Sequence, residues 1–341
     1  MPITVNSKQV KDMLVDCLKA RLVPMLVGPP GVGKSALVTD IAKQYRLKPI
    51  DVRLSQADPT DMLGLPAKNE ETGKGTYLPM ETFPLEGEPL PEGYEGWLLF
   101  LDEFNSAPMA VQAAAYKLTL DRLVGQQTLH ENVVIMCAGN LATDNAIVNR
   151  LSTAMQSRLV HLEMHVDHEE WLEWAATQQI DHRITSYIRF KPSSLHAFDP
   201  NHNDKTFACP RTWEFVNRLI KGKQELGRND LPLLAGTVSE GIAREFVGYT
   251  KVYKDLPTVT QIVNAPDTIE VPTEPSTLYA LSGALACYFE EDNAESLVTF
   301  ISRMPPEFSI ITLKDVNKRN PDVARIPCVS KWITANVNKY L

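Results

Sequence analysis

Residues 28–35 read Gly-Pro-Pro-Gly-Val-Gly-Lys-Ser, which fits a glycine, any four residues, then Gly-Lys-Ser/Thr. Those residue types at that spacing suit one chemistry. Glycines let backbone N–H groups wrap a phosphate chain. Lys34 brings a point charge to the outer phosphates, and the Ser35 hydroxyl is a hard oxygen ligand for Mg²⁺. A second set stands at Asp102-Glu103. Two adjacent carboxylates can divide the work, Asp102 in the metal shell and Glu103 orienting and polarising an attacking water. Asn140 offers a neutral amide that can hold that water or a terminal phosphate without adding negative charge. An ordinary turn asparagine explains it equally simply. Arg150 and Arg158 are either surface charges or transition-state partners. Arg211 follows Pro210 at a helix start, where the helix dipole disfavours a cation. An anionic partner would account for it, as would plain solvation. His161, His165 and His168 make no convincing metal set, because no cysteine or carboxylate completes one. No Ser/His/Asp or Cys/His constellation emerges from the spacing.

These residues need elements to hold them. Residues 23–27 form a short apolar run, and Ala36, Leu37, Ile41 and Ala42 recur at helical spacing. The phosphate loop is therefore expected between a buried strand and a helix N-terminus. Residues 97–101 are continuously apolar and end at the two acids, as a parallel strand buried on both faces would. A strand over 132–138 ends at Gly139-Asn140, and one over 158–164 follows a helix around 146–156. Residues 50–54 alternate as another strand. An amphipathic helix over 7–20 precedes all of these, with Ser7 as its N-cap. Val111, Ala115, Leu118 and Leu120 give the helix after Pro108 an apolar face. Strands alternating with helices imply a parallel sheet covered on both sides. Residues 64–91 hold four glycines and five prolines, and Glu70-Glu71-Thr72-Gly73 has hairpin-turn chemistry. This stretch is expected to be an insertion or mobile loop outside the core. From His168 onward only helices are expected, with Trp171, Trp174 and Ala175 on one face. Residues 256–275 carry four prolines and read as an extended linker. Helices return at 276–290, 294–304 and 326–340.

The whole chain sets bounds on function. Its 341 residues suffice for two domains with sizeable cores. A net charge of −8 gives no support to nonspecific nucleic-acid binding, although a local basic patch stays open. Five scattered cysteines without Cys-x-x-Cys suit a reducing compartment and free buried thiols. Asp12 and Asp16 interrupt the N-terminal apolar residues, so no signal peptide is expected. The longest uncharged apolar stretch, 278–289, is too short to span a bilayer. A cytoplasmic protein is expected, with no membrane partner.

The order of these motifs, namely 28–35, 98–103, Asn140, Arg158 and Cys209-Pro210-Arg211, resembles that of AAA+ ATPases. Residues 101–108 (Leu-Asp-Glu-Phe-Asn-Ser-Ala-Pro), Val111-Gln112 and Asp121-Arg122-Leu123-Val124 are similar to the MoxR family. The insertion after the second strand matches that family's helix-2 insert. The resemblance covers about residues 7–226. It implies a P-loop NTPase fold, a parallel α/β sheet flanked by helices over 1–165, then an all-helical lid over 166–226. A mostly helical C-terminal extension over 227–341 completes the chain. It implies ATP and Mg²⁺ as cofactors. Gly28, Pro29, Pro30, Gly31, Val32, Gly33, Lys34, Ser35 and Ala36 would hold the nucleotide, with Ser35 and Asp102 on the metal. Glu103 would be the Walker B glutamate, Asn140 sensor 1, Arg158 the finger offered to a neighbouring subunit, and Arg211 sensor 2. The chain has Leu141 where the family usually has proline, and Ser157-Arg158-Leu159 where it usually has Asp-Arg-Phe. The implied function is ATP hydrolysis by a homo-oligomeric ring, hexameric in the family pattern, which remodels a partner in a chaperone-like manner. A von Willebrand factor A domain protein is the first partner to expect. Two other readings stay open: a nucleic-acid-associated, restriction-type NTPase motor, and a slow nucleotide-gated scaffold.

Overall fold

The computed structural model describes residues 3–141, 149, 151–201 and 204–336. The chain divides into two compact units, one of Met1–Val166 with Asp199–Asn201, and a second of Asp167–Phe198 with His202–Leu341.

In the first unit, β1 (Thr4–Val5) leads into α1 (Ser7–Lys19). Asn6, not Ser7, is the cap: its Oδ1 accepts from Gln9 N–H, and the Gln9 side chain accepts from Asn6 N–H. This reciprocal pair satisfies two donors that the first turn leaves open. Then come β2 (Val23–Val27), α2 (Lys34–Gln44), β3 (Leu47–Arg53), α3 (Pro59–Leu63), β4 (Leu65–Lys68), β5 (Gly75–Leu78) and β6 (Gly96–Asp102). After α4 (Met109–Leu120) lie β7 (Leu123–Val124), β8 (Gln127–Thr128), β9 (Val133–Gly139), α5 (Thr153–Gln156) and β10 (Leu159–Met164). The main sheet runs β1-β10-β2-β9-β6-β3, every pair parallel. β6 is buried from Gly96 to Leu101 because strands flank it on both sides and side chains cover both faces. Two apolar clusters form those covers. One holds Leu99, Leu101, Phe104, Val111, Ala115 and Leu118; the other holds Val10, Leu14, Ile41, Leu98 and Phe100.

The insertion is only partly what its composition suggests. β4 and β5 pair as an antiparallel hairpin, whose turn is built by Asn69 Oδ1 accepting from Glu71 and Thr72 N–H. The segment after the hairpin is core. Phe83 is 2% exposed, and Met80 and Leu85 pack with it against the cluster around Leu99. Its prolines mask three apolar anchors rather than marking a mobile loop throughout. Leu120 of α4 is 38% exposed and not part of the apolar face. Of the helix expected at 146–156, residues 146–148 and 150 lie outside the described residues, and the described part is helical only over α5.

The second unit contains α6 (His168–Thr177), α7 (His182–Phe190), α8 (Pro210–Ile220), α9 (Leu231–Val238), α10 (Glu240–Thr250), α11 (Val259–Asn264), α12 (Pro275–Cys287), α13 (Ala294–Ile301), α14 (Pro306–Arg319) and α15 (Pro327–Ala335). α7 packs on α12, and α6 on α14. The stretch 256–275 is not an extended linker: Ile262 of α11 is fully buried, and Leu256, Val259, Ile269 and Val271 pack on the same core. The prolines there sit between short anchored pieces. Trp174 is 40% exposed, so it leaves the face that Trp171 and Ala175 share. All five cysteines are free; Cys17, Cys137 and Cys209 are buried, whereas Cys287 is exposed. No helix among the described residues is long and apolar enough to cross a membrane.

Candidate functional site

Strand register brings the sequence motifs together. Val27 pairs with Gly139, Cys137 with Leu101, and Arg53 with Asp102. The C-terminal ends of β2, β9, β6 and β3 are therefore level, and the residues just past them share one edge of the sheet. In a parallel α/β sheet that edge is where ligands bind.

The loop after β2 turns into α2 through Gly33, whose φ of +97° lies in the left-handed region that a side chain would strain. Val32 points into the core at 8% exposure and anchors the loop, while Ala36 is exposed. Lys34 Nζ folds back over the loop, donating to the carbonyls of Gly28 at 2.7 Å and Pro29 at 3.1 Å. It also reaches Asn140 Oδ1 at 3.5 Å. Ser35 Oγ donates to Asp102 Oδ2 at 3.3 Å. A hydroxyl and a carboxylate in contact are hard oxygen donors that suit Mg²⁺.

Glu103 leaves β6 with φ +55° and ψ +34°. A left-handed non-glycine residue costs on the order of 1–2 kcal/mol, and here it turns the glutamate away from the line of the strand. Its N–H donates to Asp102 Oδ1 at 2.8 Å, and its carboxylate accepts from the Ser55 hydroxyl. Neither Asp102 nor Glu103 has an ion-pair partner among the described residues. Asp51, on β3, has its carboxyl pushed up by burial first and then by the charge of Asp102, with Glu103 adding to that against the pull of Arg53. Negative charge thus accumulates at this edge, which favours a cation between the carboxylates and the phosphate loop.

Arg158 is elsewhere. Leu159 pairs with Val23, at the start of β2, so Arg158 lies at the opposite end of the strands from Gly28. Five residues of strand put roughly 16 Å between those ends. Its guanidinium donates to Ala154 O at 2.9 Å and lies 5.1 Å from the centre of the Tyr116 ring. Arg211 is exposed on the first turn of α8, in the second unit. Arg150 lies outside the described residues.

Sequence reading missed Ser55, Asn105 and Asp51. Ser55 and Asp51 carry no motif. Asn105 stands two residues past Glu103, inside the stretch 101–108 that carries the family resemblance, which assigned it no role.

Residues 24–159 match the family described as AAA domain, dynein-related subfamily. No curated protein matches the chain. Among solved structures, the Thermotoga maritima RuvB Holliday junction branch migration motor is 17% identical, with 86% of this chain and 87% of that one covered at a TM-score of 0.39. The replication initiator DnaA bound to AMPPCP and single-stranded DNA is 12% identical, with 100% and 97% covered at a TM-score of 0.38. The first unit has the P-loop AAA+ fold, a parallel six-stranded sheet flanked by helices, and the stretch 24–159 within it is similar to that AAA domain. A domain of this kind is in general a nucleotide hydrolase.

Proposed function

We propose that the nucleotide is ATP, and that its hydrolysis drives a MoxR-type ring, a hexamer, which remodels or assembles a partner protein. A protein with a von Willebrand factor A domain is the partner class to try first. One observation carries the hydrolytic reading: Lys34, Ser35 with Asp102, Glu103 and Asn140 meet at one sheet edge although they come from three separate parts of the sequence. In this reading residues 28–36 hold the phosphates, and Lys34 exchanges its contacts on Gly28 and Pro29 for the outer phosphates. Ser35 and Asp102 would hold Mg²⁺, which neutralises phosphate charge when bound. Glu103 accepts a proton from the attacking water, having left Ser55 to do so. Asn140 orients that water or the leaving phosphate through its carboxamide. Arg158, remote from its own loop, acts on the loop of a neighbouring copy, and Arg211 takes the sensor 2 role of the family pattern. The net charge of −8 weighs against a nucleic-acid motor.

The first test is Lys34→Ala. Calorimetry should show ATP affinity lowered by about tenfold or more, the worth of one charge-assisted phosphate contact. Equal affinity for variant and wild type would refute the phosphate-loop reading.

A further inference from the structure

The side chain of Asn105 is turned entirely toward another residue's backbone. It sits in the turn Phe104–Ser106 that follows Glu103 and is 8% exposed. Its Nδ2 donates to Asn140 O at 2.7 Å, and its Oδ1 accepts from Asn140 N–H at 3.1 Å. Sheet pairing does not reach this peptide. The β6–β9 ladder ends at Leu101↔Cys137, and the β2–β9 ladder at Val27↔Gly139. The asparagine grip thus continues the sheet's hold one residue beyond its last rung. Residue 139 leaves the room for it: a Cβ on Gly139 would lie 2.3 Å from Asn105 Oδ1 and 2.7 Å from its Cγ. A side chain there would displace the amide.

We infer that Asn105 is a positioning residue for hydrolysis: it locks the Asn140 peptide to the end of β6, two residues past Glu103. The Asn140 carboxamide beside Lys34 and the Glu103 carboxylate then keep one fixed spacing. This inference rests on the ATP-hydrolysis reading of the site. A buried amide with two satisfied hydrogen bonds could also serve stability alone, and the two roles predict different behaviour. A structural amide, once removed, costs stability but leaves the turnover of the folded molecules intact. A positioning amide acts through Asn140, so its loss is contained within the loss of Asn140.

The experiment measures kcat, KM and nucleotide affinity for Asn105→Ala, Asn140→Ala and the double variant in the full chain. Asn105→Ala should lower kcat about ten- to hundredfold, the scale of a misplacement near 1 Å, with KM and affinity nearly unchanged. The double variant should be no slower than Asn140→Ala. Asn105→Asp preserves shape, in case the alanine folds poorly, but sets an oxygen against the Asn140 carbonyl; it should show the same kcat loss. Unchanged kcat, or losses that multiply in the double variant, would overturn the inference. Amide exchange gives a reading independent of turnover. The Asn140 N–H should exchange about tenfold faster in Asn105→Ala, as loss of one protecting bond allows, with β10 amides unaffected. An unaltered Asn140 amide overturns the clamp even if the protein hydrolyses nothing. A faster one in a protein without ATP turnover supports the clamp and refutes the ATP reading instead.

Discussion

In the helical unit, Asp181 lies 2.6 Å from Arg183, and Arg189 grips both oxygens of Asp315. Both aspartates are close to fully covered, with side-chain exposures of 16% and 7%. At the edge of the α/β unit, Asp102 and Glu103 are partly exposed and receive hydroxyl and backbone donors but no arginine or lysine. The same acidic residue types therefore do different work. Where a cation neutralises the carboxylate and protein covers both, the pair fixes helix against helix: α7 to α14 for Arg189–Asp315. Where only hydroxyl and backbone donors hold the carboxylates, the charge is left for the metal and the water that the hydrolytic reading assigns to it. On the hydrolytic reading, pairing separates the structural acids from the chemical ones, and acidity alone does not.

The largest expected effect sharpens the chemical side. On the ring reading, Arg158→Ala should bind ATP almost normally and hydrolyse it about 10³–10⁵-fold more slowly, the worth of an arginine finger. Mixed with Lys34→Ala, it should regain activity, because some interfaces then join an intact loop to an intact Arg158. If mixed rings form and nothing returns, Arg158 acts only on Tyr116 and Ala154, and Arg150 is the next to test in the same way.

The next effect tests the structural side. Asp315→Ala leaves Arg189 buried without its partner, which should cost about 3–5 kcal/mol of stability in a denaturant melt. Turnover per folded molecule should hold. A fall in turnover without a fall in stability would mean that this pair is chemical after all, and the comparison would fail.

The smallest effect is a pH dependence. Burial holds His182 down at about 4, with the cations Arg183 and Arg319 adding to that against the pull of Asp181. Its folded pKa is below its unfolded value, so the unfolded chain takes up the proton first as pH falls. The stabilisation is therefore complete above about 6.5 and is lost as pH drops toward 4, on the order of 3 kcal/mol in all. Melts at pH 7.5 and 5 should differ in the helical unit, and His182→Phe should shrink the difference. An equal pH dependence in that variant would assign the effect to other groups.

Much of the α/β unit could be read from the sequence, because its signals are local. Residues 97–101 announce a buried strand without help from any partner, and 28–35 announce a loop chemistry in eight letters. The site beyond the motifs could not be read this way. Ser55 meets Glu103 across 48 positions, and Asn105 meets Asn140 across 35; only the sheet register creates those meetings. The helical unit was legible in kind but not in detail. α9, α10 and α14 were not foreseen. α9 and α14 have proline in their first turn, where it suits a helix but reads as a break. Phe83 and Ile262 were lost for a related reason: each lies among prolines, whose break signal outweighs the short apolar pattern around it.

The central claim is that Glu103, held by a hydroxyl and not by a cation, is the group that activates water. Glu103→Gln removes that basicity and keeps Ser35, Asp102 and the phosphate loop. ATP affinity by calorimetry should stay within about threefold of wild type, while single-turnover hydrolysis should fall about 10²–10⁴-fold, the range for a general base. Hydrolysis near the wild-type rate with ATP bound would contradict the account, because another residue would then be handling the water.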